Sequence, residues 1–240
     1  MEKIRKLFYR LIPETGNKTY AQYGEDIIID GLCNTIGISN PKYIDIGTHH
    51  PTNLSNTYYF YKKGSYGVCI EPSKKLAKVI EKKRRRDIVE AIGVGSTTNT
   101  TPRPYYVLTA QTMNTFSEKN AEQTINAPQM YGSQRIEAVE YIPIIGINEL
   151  FDKYIDYYGD IVSIDTEGMD EEIIYAINFQ KYRPKIFCIE TITQDSNHMF
   201  QKNMNIIDLL KKNGYIVYAD TYVNTIFVDQ KLWKEGTTIL

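Results

Sequence analysis

Short runs rich in Ile, Val and aromatic residues recur along the chain, at 43–45, 68–71, 88–92, 161–165, 186–190, 215–218 and 225–228. Each is close to continuously apolar rather than alternating, the pattern of strands buried on both faces. Stretches of helical length separate most of them. These are 54–63, closed by Gly64; 73–83, with Ser73 as N-cap; 170–179, stopped before Pro184; and 204–212, with Gly214 just past its end. Such alternation dictates a parallel sheet with right-handed crossovers. The last two runs depart from it. About six residues around 220–224 join them, too few for a parallel crossover, so they must form an antiparallel hairpin. The expected fold is α/β, a Rossmann-like sheet of seven mostly parallel strands with the last one reversed and helices on both faces.

Four runs end in a carboxylate: Asp45, Glu71, Asp165 and Glu190; a fifth carries Glu90 near its end. Open parallel sheets bind ligands outside the carboxyl ends of their strands, at the point where strand order reverses. One acid there is usually a turn or cap residue, whereas four make a polar cluster. Asp45-Ile-Gly47 has the form of a nucleotide-binding turn, with Gly47 admitting close approach and positive φ. Glu71 follows Gly47 by 24 residues, near the position of an acid that accepts both ribose hydroxyls. NAD or FAD would need a Gly-x-Gly-x-x-Gly nest for pyrophosphate, and here His49-His50-Pro51 fills the turn. A ribose-bearing ligand with a cationic centre and no phosphate fits better, with Asp45 facing the cation. S-adenosylmethionine is such a ligand. The runner-up is an NAD-dependent oxidoreductase; a third reading is a non-catalytic nucleotide-binding domain.

Asp165-Thr-Glu-Gly168 ends the fourth strand, next to the switch point, and is the expected reaction centre. Methyl transfer to a hydroxyl needs alignment and a proton acceptor. Asp165 or Glu167 could be that base, with His198 as a further candidate. Alternatively, Asp165 and Glu190 hold Mg²⁺ or Mn²⁺ through oxygen ligands, and the metal acidifies the acceptor. A helix cap explains Glu167 equally well, and an exposed loop position is the ordinary explanation of His198. Ser55 and Ser163 lack a paired His and Asp, which leaves a hydrolase triad unsupported.

The sequence resembles the FkbM-type family of S-adenosylmethionine-dependent methyltransferases. The resemblance rests on Ala21-Gln-Tyr-Gly-Glu-Asp26, Tyr43-Ile-Asp-Ile-Gly-Thr-His-His-Pro51 with Ser55-Asn-Thr57, Ile70-Glu-Pro72, Ser163-Ile-Asp-Thr-Glu-Gly168, Ile189-Glu-Thr191 and Asn224-Thr-Ile-Phe-Val228. It implies O-methylation of a sugar, a sugar nucleotide or a similar polar metabolite, as in surface polysaccharide or secondary-metabolite biosynthesis. Gln22, Tyr23, Pro72 and Gly93 join Asp45, Gly47 and Glu71 as expected cofactor contacts.

Residues 1–40 are expected to form a helical segment packing on the cofactor site, with 22–32 amphipathic, and 41–240 the catalytic domain. Within it 96–142 is the longest piece without a strand pattern, expected to be a lid anchored by Met113, Phe116, Met130 and Tyr131. Thr115-x-x-Glu118 reads there as a capping box. Lys and Arg number 28 and Asp and Glu 29, a net charge of −1 that gives no bulk attraction to nucleic acid or to an anionic membrane. A local patch remains compatible with it. The run 81–86, Glu-Lys-Lys-Arg-Arg-Arg, could meet phosphates or a membrane, although such a run is more often a solvated helix end. Three widely spaced cysteines make neither a disulfide framework nor a metal cluster, which suggests a reducing cytoplasm. No apolar run nears the ~18 residues of a membrane span, and residues 1–10 lack the apolar region of a signal peptide. A small-molecule substrate is the expected partner.

Overall fold

The computed structural model describes residues 18–194 and 200–236; His198 lies outside them. The main sheet is built from β1 (Tyr43–Ile46), β2 (Gly67–Ile70), β3 (Ile88–Glu90), β7 (Ile161–Ile164), β8 (Ile186–Glu190), β11 (Tyr215–Asp220) and β12 (Asn224–Asp229). Its order is β3-β2-β1-β7-β8-β12-β11. All neighbours are parallel except β12, which runs antiparallel to both β8 and β11. Strand order reverses between β1 and β7, so the turns after Ile46 and Ile164 meet at the switch point.

The central strands are buried at every position, and their side chains alternate between two cores, because successive side chains leave a strand on opposite faces. Ile44, Ile46, Val68, Ile70, Val162 and Ile164 pack into one core. Tyr43, Ile161, Ile186 and Cys188 pack into the other, against Ile29, Leu32 and Cys33 of the helix Glu25–Thr35. All three cysteines are buried and unpaired. No helix among the described residues is long and apolar enough to cross a membrane.

The helix Met204–Lys212 has the expected bounds, and Ser73 Oγ caps Lys74–Lys83 by accepting from Leu76 N. The others are displaced for identifiable reasons. The expected helix 54–63 shrinks to Tyr58–Lys62, because Leu54 is left-handed (φ 53°). The expected 170–179 ends at Ala176, where Asn148 Nδ2 caps the Ala176 carbonyl and Asn148 Oδ1 takes the Asn178 N–H. The amphipathic stretch 22–32 becomes Glu25–Thr35 because Gly24 adopts φ 90°.

The stretch 96–142 departs most from expectation. It holds two long strands: β5 (Asn99–Leu108) and β6 (Ile136–Gly146) pair antiparallel, and β6 also pairs with β4 (Gly93–Gly95). Pro102 and Pro104 mask the strand pattern in the sequence; they are tolerated because β5 is an edge strand. The helix Glu118–Ile125 is capped by Ser117 Oγ, not by Thr115, whose hydroxyl is used elsewhere. Phe116 is buried against Tyr105, whereas Met130 is exposed. A second hairpin, β9 (Ile192–Gln194) with β10 (Phe200–Lys202), stands beyond β8.

Candidate active site

The turns after β1 and β7 are pressed together. Gly47 N donates to Ile70 O (3.0 Å) and Asp165 N to Ile46 O (3.0 Å). Gly47 has φ 84°, and a Cβ on it would lie 1.7 Å from the Asp165 carbonyl oxygen. Only glycine lets both strand ends reach the switch point together. Above them opens a cavity of about 650 Å³, whose lining includes Gln22, Tyr23, Gly47, Glu71 and Pro72 together with Asp165, Glu167 and Glu190.

Glu71 is buried, and its two oxygens accept the backbone N–H groups of His49 and Ser73, each at 2.8 Å. A carboxylate offers about four lone-pair sites, so acceptor capacity remains for a ligand. Burial pushes its pKa up to about 7, against the pull of those two N–H groups.

Asp165, Glu167 and Glu190 each bring a carboxylate oxygen within 4.8 Å of the other two. Burial, then Asp170 and Asp45, raises Asp165 to about 7. Burial and mutual repulsion push Glu167 and Glu190 well above the ordinary carboxylate range. No cationic side chain forms an ion pair with them among the described residues. Near neutral pH the cluster therefore holds protons, or awaits a cation. Asn224, opposite Glu190 in the β8–β12 register, is buried with its Oδ1 unpartnered. The donors are hard oxygens, the set that suits Mg²⁺ or Mn²⁺.

The insertion supplies contacts absent from the sequence reading. Thr115 Oγ1 (2.7 Å) and Asn120 Nδ2 (3.0 Å) both donate to the Glu167 carbonyl, which holds Glu167 at φ 52°. Asp170 closes the same turn by accepting from Thr166 N and Gly168 N. The Asp165-Thr-Glu-Gly168 motif pointed to this loop, but nothing local marks Thr115 or Asn120 as its supports, because they lie 52 and 47 residues away from Glu167. Strain concentrates at the cavity: among the described non-glycine residues with positive φ, His49, Leu54, Glu167 and Tyr222 line it and Asn40 does not. A buried Glu25 ties the rim together by accepting from Tyr23 N, Thr221 Oγ1 and Asn224 Nδ2.

Two expected contacts are corrected. Asp45 does not face the cavity. It leaves β1 on the same side as Tyr43, accepts from Thr57 Oγ1 (2.5 Å) and lies 3.7 Å from Arg84 Nη1. Gly93 is buried in β4, where a Cβ would strike Ile144 and Phe116, so it serves packing. Two further strand-end and turn residues are structural. Glu90 accepts from Lys153 and the Tyr154 hydroxyl, and His50 Nδ1 accepts from Thr52 N and Asn53 N.

The family model described as "Methyltransferase FkbM domain" matches residues 45–217. No curated protein matches the sequence. Among solved structures, a TehB-like SAM-dependent methyltransferase from Corynebacterium glutamicum is 9% identical, with 95% of this chain and 97% of that one covered and a TM-score of 0.42. A precorrin-6y C5,15-methyltransferase from Geobacter metallireducens is 12% identical, with coverage of 89% and 92% and a TM-score of 0.43.

Proposed function

From the premise that this chain belongs to the FkbM family of S-adenosylmethionine-dependent methyltransferases, we propose that it methylates a hydroxyl of a sugar or similar polar metabolite. The observation that carries the proposal is that one cavity is lined both by Gly47 and Glu71 and by the three clustered carboxyls of Asp165, Glu167 and Glu190. The cofactor supplies, when bound, a methyl group on a sulfonium, which needs no covalent help from the protein. Glu71 uses its spare lone pairs for the ribose hydroxyls, and Gly47 lets the Asp165 turn close against it beside the ligand at the switch point. Gln22, Tyr23 and Pro72 enclose it. Asp165 or Glu167 takes the acceptor's hydroxyl proton as the new C–O bond forms; a pKa near the working pH suits that task. Alternatively, Mg²⁺ or Mn²⁺ held by Asp165 and Glu190, with Glu167 beside them, would neutralise the cluster and lower the acceptor's pKa in place of a free carboxylate base. Six carboxylates line the cavity (Glu71, Asp165, Glu167, Asp170, Glu171, Glu190) against one lysine, Lys119, among its described lining residues. That balance favours a neutral ring over the diphosphate of a sugar nucleotide. The unpaired, buried cysteines support the cytoplasm as its compartment.

The test is labelled methyl transfer to a panel of free and nucleotide-activated sugars, with and without chelator. Wild type transfers label to a hydroxyl; Asp165→Asn binds the cofactor with unchanged affinity by calorimetry and transfers none. Label found only on nitrogen or carbon defeats the proposal; turnover retained by Asp165→Asn places the base or metal elsewhere. A rise in melting temperature with Mg²⁺ or Mn²⁺ that Asp165→Asn abolishes reports the metal independently of activity.

Glu71→Ala should weaken cofactor binding about 10–100-fold, the cost of losing hydrogen bonds to a charged acceptor. Glu71→Gln, which can still accept from one of the two turn N–H groups, should fall between. Unchanged affinity in Glu71→Ala removes this residue from the role.

A further inference from the structure

The charge of this chain is unevenly placed. Residues 58–87 hold ten of the 28 Lys and Arg and three of the 29 Asp and Glu, so this stretch carries +7 and the remainder −8. Two of those acids are not available to solvent: Glu71 faces the cavity, and Asp87 is buried on Arg84. Arg84, in the middle of the basic run, is itself fully buried. The other cations of the stretch are exposed, including all five lysines of the helix Lys74–Lys83.

That helix buries Ala77 and Ile80 and turns Lys74, Lys78 and Lys82 outward at successive i, i+4 positions. Like charges at that spacing oppose helix formation, and a merely solvated face would alternate sign. Neither these lysines nor Lys62 or Arg85 forms an ion pair among the described residues; Lys63, by contrast, is paired with Asp30. Arg86 lies 4.0 Å over the Tyr61 ring and donates to the Tyr61 carbonyl, joining this helix's end to Tyr58–Lys62 in one surface. Right-handed crossovers place both helices on the same side of the sheet. A depression lined by Lys83, Lys18 and Asn53 continues this surface toward Leu54, which is exposed on the rim of the cavity.

We propose that this lysine-rich face docks on an anionic lipid surface and brings the cavity mouth close to it. Lysine ammoniums on an outward-facing helix act as point charges toward a surface potential; they do not form the forked pocket that grips one phosphate. The exposed Val79 among them gives the face an apolar point to rest in the interface. Stacking aromatics that would mark a single-stranded nucleic-acid groove do not interleave the lysines of this helix.

The test is co-sedimentation of the full chain with phosphatidylcholine vesicles, pure or with about one lipid in three replaced by phosphatidylglycerol. Binding is expected to the anionic vesicles only, and should be lost in about 0.5 M salt. Lys75→Glu/Lys78→Glu/Lys82→Glu should cut binding about tenfold or more while retaining the wild-type melting temperature and cofactor affinity. Lys211→Glu/Lys212→Glu, on a helix outside this face, should leave binding unchanged. Equal binding to both vesicle types, undiminished binding by the triple variant, or binding to soluble heparin without binding to vesicles would each overturn the proposal. Cofactor affinity and methyl transfer are read separately, so a failure here leaves the catalytic reading untouched.

Discussion

Arg84→Met leaves the protein unfolded, or lowers its melting temperature by about 10 °C, at neutral pH. Arg84 is fully buried and its guanidinium is spent on several partners. Nε donates to Asp87 Oδ2 (2.6 Å), Nη2 to Thr57 Oγ1 (2.9 Å), and Nη1 approaches Asp45 Oδ2 (3.7 Å). Asp87 in turn accepts from the Tyr43 hydroxyl and Gly67 N, so this network braces β1 and β2 against the start of β3. Removing one partner of a buried pair costs about 3–5 kcal/mol, because the charges left behind have neither water nor partner. Total stability is typically only about 5–15 kcal/mol. Burial raises the Asp45 pKa even with Arg84 present. Without the cation Asp45 has more to gain from protonation, so mild acid should restore part of the loss. Adding Asp45→Asn and Asp87→Asn to Arg84→Met should do the same at neutral pH. Arg85→Met, on its exposed neighbour, should shift stability by about 0.5 kcal/mol or less. Thermal melts decide the matter: a melting temperature for Arg84→Met within a degree or two of wild type means that the network does not brace the sheet.

The second large effect has the opposite sign. Asp165→Asn should stabilise the fold while abolishing transfer. An unfolded carboxyl ionises near 4, whereas folded Asp165 and Glu71 sit at about 7 and Glu167 and Glu190 are also raised. Between those values the folded state binds more protons than the unfolded one. The contribution of these groups is therefore greatest below the unfolded pKa and is lost as pH rises to about 7. The variant's advantage over wild type should be near zero at about pH 4 and grow through pH 7. It should reach about 1–2 kcal/mol once solvent screening in the cavity is allowed for, or about 2–8 °C. Mg²⁺ that binds the cluster should narrow the gap by stabilising wild type alone. A gap independent of pH, or an Asp165→Asn protein less stable than wild type at pH 8, contradicts the reading of the cluster as unneutralised. Activity bought with stability is common where like charges must converge.

What the sequence by itself determined is local. Continuous Ile and Val runs marked the seven strands of the main sheet, because a strand buried on both faces has no room for alternation. A connection of a few residues made β11 and β12 a hairpin. Acids at four strand ends marked the working edge of the sheet. What the tertiary structure decided is direction and company. Asp45 and Glu71 look alike in the sequence, yet the pleat turns one toward Arg84 beneath the sheet and leaves the other on the cavity. Arg84 reads as one of three surface arginines until folding buries it alone. The supports of Glu167 come from a hairpin whose prolines hid it. A side chain's facing past the end of a strand, and its partners from 47 or 52 residues away, are fixed by packing between segments, and no periodicity within a segment records them.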